Sequence, residues 1–233
     1  MNCIKNKLYI LLLIAYAFPL GGIGVSGLNN MVAYDVNDSD GGFNLRYQDN
    51  GLEQGLNFFI YFDALPSDLA IEYSKEIKLQ ELNSTIAFTE DQITHETTNP
   101  LFTVRTSDYL TIRKDIVDLS IPILAKVALS VGGGVNAHKS VIPSIALLKN
   151  IYNVEDVSDL YDQASQDWDQ DAIIEKLEDN AIKSSGLHIQ CGIQAKVLIL
   201  NVFINAKYTF IIKDDNNSID SFPGLSIGLA YGI

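Results

Sequence analysis

From Gly186 to Ile212 apolar and polar residues alternate along two consecutive runs. Leu187, Ile189, Cys191, Ile193, Ala195 and Val197 share one face of the first, against His188, Gln190, Gly192, Gln194 and Lys196. Val202, Ile204, Ala206, Tyr208, Phe210 and Ile212 share one face of the second, against Phe203, Asn205, Lys207 and Thr209. Strand side chains alternate between faces, so this pattern predicts two long strands, each with one apolar side. The same period recurs in Gly55–Asp63, Asp68–Leu82, Ser107–Leu119, Leu124–Val135 and Pro223–Ile233. A first strand falls within Val25–Val36, which brings the expected number to eight. Runs of about ten residues, two-faced throughout, have the length a membrane-crossing strand needs.

The period changes to that of a helix in Pro143–Asn153 and again in Asp156–Lys183, where Val157, Leu160, Tyr161, Ala164 and Trp168 form a stripe. This predicts a helical insertion at about residues 140–184. The connections sort by length. Ala64–Ser67, Ser120–Ile123 and Leu198–Asn201 are short, whereas Asp35–Gln54, Asn83–Thr106, Lys139–Ser185 and Lys213–Phe222 are long and polar. Long and short alternate along the chain, as in a barrel with short turns at one end and long loops at the other. The expected fold is all-β: an eight-stranded antiparallel up-and-down β-barrel with a helical insertion in one long loop.

Composition narrows the partners. The chain has 233 residues, 29 Asp+Glu against 16 Lys+Arg, and a net charge of −13. Nucleic-acid binding relies on Lys and Arg to neutralise phosphates, so nucleic acid is not an expected partner. Lys5 and Lys7 precede the apolar run Leu8–Ala17, the layout of a secretory signal peptide. We expect a leader within residues 1–26, cleaved after Ala17 or near Gly24–Gly27, and a barrel domain over residues 27–233. Removal of the leader takes Cys3 with it and leaves Cys191 alone, so no intramolecular disulfide is expected.

With the leader, the alternating hairpins, FINAKYTF (Phe203–Phe210) and the final GLSIGLAYGI (Gly224–Ile233), the chain resembles small outer-membrane β-barrel proteins of the OmpA/OmpX type. The resemblance runs from Gly27 to the C-terminus outside the helical insertion. It implies a place in the cell outer membrane, contact with outer-membrane lipid, handling by the barrel-insertion machinery and a monomeric state. It also implies a structural, surface-interaction or minor solute-passage role. Such proteins usually end on an aromatic residue, where this chain has Ile233.

In a membrane barrel the polar strand faces fill the lumen. That places Glu72, Glu76, Lys78, Arg113, Asp115, Lys126, His188, Lys196 and Lys207 in an interior polar network with a structural role. Eight strands leave room for side chains or one small ligand. Lys75 and Lys114 fall on the apolar faces, where a charge facing lipid is costly. They favour an alternative: a soluble secreted or periplasmic lipocalin-like barrel that binds an apolar ligand. The two readings point Ile193, Ile204 and Ile227 in opposite directions, outward or inward.

No cofactor, metal site or enzymatic constellation is expected. Asp35–Gly41 looks superficially like a calcium loop, but its Gly is one place late and Arg46 stands where the closing Glu is required. The acidic run Asp167–Asp171 reads as a solvated loop. His95 and His138 fall in or beside loops and His188 on a lumen face, and no Ser-His-acid arrangement stands out. The Leu160–Trp168 stripe is expected to pack on its own barrel, or to meet a surface partner.

Overall fold

A computed structural model describes residues 21–49, 51–90, 93–121, 125–156, 176–177, 179–214 and 219–232. The leader residues up to Ala17, the stripe Val157–Trp168 and the acidic run Asp167–Asp171 lie outside the described residues.

Among the described residues, ten strands and one complete α-helix follow in order: β1 (Gly21–Met31), β2 (Tyr34–Asp40), β3 (Phe43–Asp49), β4 (Leu52–Leu65), β5 (Leu69–Glu90), β6 (Ile93–Ile121), β7 (Ala125–Val141), α1 (Ile145–Tyr152), β8 (Ile182–Val197), β9 (Leu200–Asp214) and β10 (Phe222–Gly232). Eight of the strands close a ring of antiparallel neighbours in the order β1-β4-β5-β6-β7-β8-β9-β10. β2 and β3 form a separate hairpin that joins the sheet through β3 and the upper half of β5.

The register fixes the shape of the ring. A row of paired residues runs from Lys114 through Val131, Cys191, Ala206, Leu225, Asn29, Gln54 and Leu79. It returns to β6 at Val104, ten residues from its start. A stagger of ten over eight strands tilts them by about 40°, given a rise of ~3.3 Å per residue and a spacing of ~4.8 Å. The glycines Gly132 and Gly134 on β7 allow a close approach to β6. A Cβ on Gly132 would stand 2.8 Å from the Ile112 carbonyl oxygen, and one on Gly134 would collide with that of Leu110.

The ends of the barrel differ as the loop lengths do. Pro66–Asp68 is a single 3-10 turn, and Leu198–Ile199 joins β8 to β9 with Leu198 at φ 54°. β1 begins and β10 ends at this short-turn end, where Gly22 pairs with Gly232.

The long-loop end carries more strand than the sequence pattern predicts. Asn83–Glu90 and Ile93–Thr106, within the stretch expected as a loop, are the paired continuation of β5 and β6. The β2–β3 hairpin, turning on Gly41 (φ 53°) and Gly42 (φ 82°), occupies most of Asp35–Gln54, a connection expected as a loop in whole or part, with Phe43–Gln48 alternating as the top of a strand or part of a hairpin. These segments project beyond the barrel, where neither face must be apolar, so alternation is not required of them. β1 begins at Gly21, ahead of the expected Val25, and β7 and β8 extend into the expected insertion as far as Val141 and from Ile182.

Pro143 leads into α1, and the Ser144 side chain caps it by accepting from the Leu147 N–H at 3.0 Å. Asn153 ends it in the left-handed conformation at φ 55°. The helix is held over the barrel mouth by Asp38, which accepts from the Ile145 N–H at 2.8 Å, and by Asp40, 2.7 Å from Lys149 Nζ. Two aspartates of the segment that resembles a calcium loop therefore serve as helix partners.

Candidate functional site

Every second residue of the ring strands points inward. Near the short turns, Asp115 accepts from Lys126 Nζ at 2.5 Å, and Asp118 lies 3.8 Å from the same ammonium. Lys196 sits beside Lys126 on the neighbouring strand. One layer in, Arg113 donates to Asp63 at 2.7 Å and to Gln194 at 3.2 Å, with Glu72 at 3.7 Å. Its guanidinium lies 5.1 Å from the Phe203 ring centre and 5.4 Å from that of Tyr61. The two carboxylates and two aromatic faces offset the cost of burying this cation, although its Nε has no hydrogen-bond partner.

At mid-height Glu76 lies between two lysines. Lys78 Nζ is 2.6 Å away, and Lys207 Nζ donates to the other carboxylate oxygen. Lys207 also stands over the Tyr109 ring at 3.4 Å. His188 Nε2 meets the Thr111 hydroxyl at 2.9 Å. The nine residues assigned to the lumen from sequence all face the interior. Glu72, Glu76, Lys78, Arg113 and His188 are buried, whereas Asp115, Lys126, Lys196 and Lys207 keep a minor exposed part. Arg113 with Glu72, Glu76 with Lys78 and Lys207, and Asp115 with Lys126 form three ion-paired groups.

The upper layer holds residues that the sequence reasoning placed in loops or passed over. Arg105 donates to Glu53, whose same oxygen accepts from Asn30 at 3.1 Å, and the guanidinium carbon lies 4.2 Å from the Phe222 ring centre. His138, expected in or beside a loop, is buried, with Nδ1 2.6 Å from Ser107 Oγ and Nε2 2.9 Å from Asn136 Oδ1. Lys78 donates to the same Ser107 oxygen at 2.9 Å. Serine, histidine and asparagine in a row invite comparison with a hydrolytic triad. Here Ser107 has no exposed surface, so no substrate carbonyl can reach it. The signal for this layer was the alternation of Thr103, Arg105 and Ser107 against Phe102 and Val104.

Above the polar layers the filling turns apolar. Val32, Tyr34, Leu45, Tyr47, Leu82, Ile142, Ile145, Ile219 and Phe222 form one buried cluster across the mouth, contributed by the β2–β3 hairpin, the strand tops and α1. Tyr34 lies in this cover, and burial pushes its phenol up to about 12. A void bordered by Glu72, Glu76, Tyr109, Thr111 and Lys207 measures 20 Å³, about the room one water occupies.

The outer surface is the reverse of the interior. Ile193, Ile204 and Ile227 point away from the barrel, 48%, 42% and 57% exposed. Their neighbours Leu56, Phe58, Leu110, Ile112, Val131, Leu187 and Leu229 do the same. Soluble monomers rarely leave apolar patches larger than a few hundred Å² in contact with water. On β9 every outward position from Leu200 to Phe210 is apolar or tyrosine. At a tilt of ~40° that run rises about 25 Å, the height of the apolar band on a membrane barrel.

The chain is an eight-stranded antiparallel β-barrel with an apolar outer face and a polar interior.

A membrane barrel of this kind has its short turns in the periplasm and its long loops outside the cell. The lipocalin-like alternative needs the apolar rows inside, where the structure has Glu, Lys and Arg. The two lysines that favoured that alternative do lie on the outward face. Lys75 stands 3.9 Å from Asp108, which also accepts from the Tyr73 hydroxyl at 2.6 Å, so this charge has a partner on the lipid-facing surface. Lys114 is opposite Leu69 at the start of β5, beside the short turn, where its stem can reach the interface.

Three solved structures share this architecture at low sequence identity. Ail, the attachment invasion locus protein of Yersinia pestis, is 11% identical at a TM-score of 0.44, with 91% of this chain and 97% of that chain covered. Neisserial surface protein A is 11% identical at a TM-score of 0.43, with the same two coverages. The β-domain of the Bordetella autotransporter BrkA is 7% identical at a TM-score of 0.33, covering 92% of this chain and all of that one. No protein-family model matches the chain, and no curated protein matches its sequence.

Proposed function

We propose that the protein is a non-enzymatic barrel of the cell outer membrane that presents its long-loop end at the surface and conducts no solute. The observation that carries this reading is the filled interior: paired charges through the barrel height, a 20 Å³ void among them and an apolar cover above. A pore needs a continuous water-filled path, and opening one here would break several buried ion pairs at once. The surface-presenting part is the sheet formed by the β2–β3 hairpin and the projecting halves of β5 and β6, together with α1 and the insertion that follows it. This is where a surface partner would bind. On this reading the alternating Leu225, Ile227, Leu229 and Tyr231 of β10 provide the strand that the insertion machinery recognises.

Planar-bilayer recording tests the filled barrel. The purified protein inserted into a bilayer is expected to leave the current at baseline. Discrete openings of a uniform size, present with this protein and absent with heat-denatured protein, would establish a conducting lumen and refute the proposal.

A further inference from the structure

The outward face holds one cluster of charge with no opposite partner. Lys139 on β7, Lys183 on β8 and Lys213 on β9 all point outward and are exposed. Lys139 and Lys183 are register partners, and Lys213 pairs with Ser185, the outward residue just below Lys183 on β8. Like charges directly opposite each other on neighbouring strands repel. Among the described residues none of the three lysines forms an ion pair, whereas Arg105, Arg113, Lys78 and Lys207 inside the barrel each meet a carboxylate. Three unpaired cations side by side on a chain of net charge −13 point to an anion supplied from outside.

Their height decides which anion. On β7 and β8 the small outward residues Ala137 and Ser185 come first below the lysines, and Val135, Leu187 and Phe210 then form the top of the apolar band. The lysines therefore stand where lipid tails give way to headgroups, on the long-loop side. Between them lies a groove of 320 Å³ whose floor includes the small residues Ala137 and Ser185. Asp108 also borders this groove, but its carboxylate is already engaged by Tyr73 and Lys75.

The geometry points to a binding site for a phosphorylated lipid of the outer leaflet, with its phosphate among Lys139, Lys183 and Lys213 and its acyl chains along Val135, Leu187 and Phe210. The site gives the barrel a fixed lipid neighbour on the β7–β9 side. The inference rests on the membrane placement, and the two fail differently: a protein that stays soluble without detergent sinks both, whereas the titration below tests the lysines alone.

Full-length protein folded in neutral detergent micelles is titrated with bisphosphorylated lipid A and with the same lipid stripped of its phosphates. The wild type is expected to bind the phosphorylated form more tightly. The triple variant Lys139→Gln, Lys183→Gln, Lys213→Gln is expected to lose about a hundredfold in affinity for it, from roughly fivefold per lysine at a charged lipid surface. The corresponding triple Lys→Arg variant keeps the affinity. All three positions are exposed on the outward face, so the barrel is expected to fold in each variant, as the far-ultraviolet dichroism of a sheet verifies. Equal binding of the two lipids by the wild type, or undiminished binding by the triple Gln variant, would overturn the site.

Discussion

Arg105→Met is expected to lower the unfolding free energy of the barrel, measured by urea titration in micelles, by about 3–5 kcal/mol. Arg105 and Glu53 are both fully buried at the level where the polar interior meets the apolar cover. Methionine fills much of the volume of the arginine stem and keeps the contact with Phe222. It leaves the Glu53 carboxylate with only the Asn30 amide at 3.1 Å. An uncompensated buried carboxylate is more costly than the loss of the pair as a whole. The double variant Glu53→Met, Arg105→Met is therefore expected to recover most of the loss, because an apolar pair of similar volume can replace a buried ion pair at little cost. A single variant within 1 kcal/mol of the wild type, or a double variant no better than the single, would show that the pair does not bear this load.

The second large effect belongs to the outside. Ile227 on β10 sits inside the apolar band, and Met31 at the end of β1 lies at its long-loop edge. In a lipid bilayer Ile227→Arg is expected to cost about 2–4 kcal/mol and Met31→Arg about 0–1 kcal/mol, since the cost of a lipid-facing charge falls toward the interface. Water around the barrel would predict otherwise. Surface substitutions in a soluble protein stay within about ±0.5 kcal/mol, so both changes would then be small and alike. Reversible unfolding from large unilamellar vesicles gives the comparison.

These effects trace back to parts of the chain that differ in how openly the sequence displays them. The ring strands were legible because lipid on one side and packed side chains on the other impose a strict period of two, as in Ile189, Cys191 and Ile193 against His188, Gln190 and Gln194. The inward direction of Glu72, Glu76 and Arg113 follows from the same alternation. Outside the membrane that constraint lapses. Asn83–Thr106 is rich in Thr and Asn and reads as a loop, yet β5 and β6 continue through Glu90 and Ile93 because each supplies the other's backbone hydrogen bonds and β3 supplies a third edge. Arg105 lies in that stretch, and Glu53 at the end of the Asp35–Gln54 connection, so the deepest ion pair was hidden by two loop assignments.

Lys75 shows a different limit. Its outward direction could be read from the period, but its partner could not. Asp108 also faces outward, and only the register of β5 on β6 brings the two opposite each other. Ile116 marks the shift that alternation alone does not reveal: the pairing slips between Asp115 and Val117, so outward and inward positions exchange below that point on β6. α1 was legible from its spacing and from Pro143, whereas its seat was not, because Asp38 and Asp40 lie more than a hundred residues earlier and resemble a metal loop.

The central claim is that lipid, not water, covers the apolar exterior. Cys191 offers a native probe, since its side chain faces outward at mid-strand on β8 and Cys3 can be replaced by serine. A nitroxide attached at Cys191 in urea, with the protein then folded into vesicles, reports which reagents reach that face. The account predicts strong relaxation by dissolved oxygen, which partitions into lipid, and weak relaxation by a water-soluble nickel chelate. Free access of the nickel chelate to Cys191 in the folded protein would contradict it.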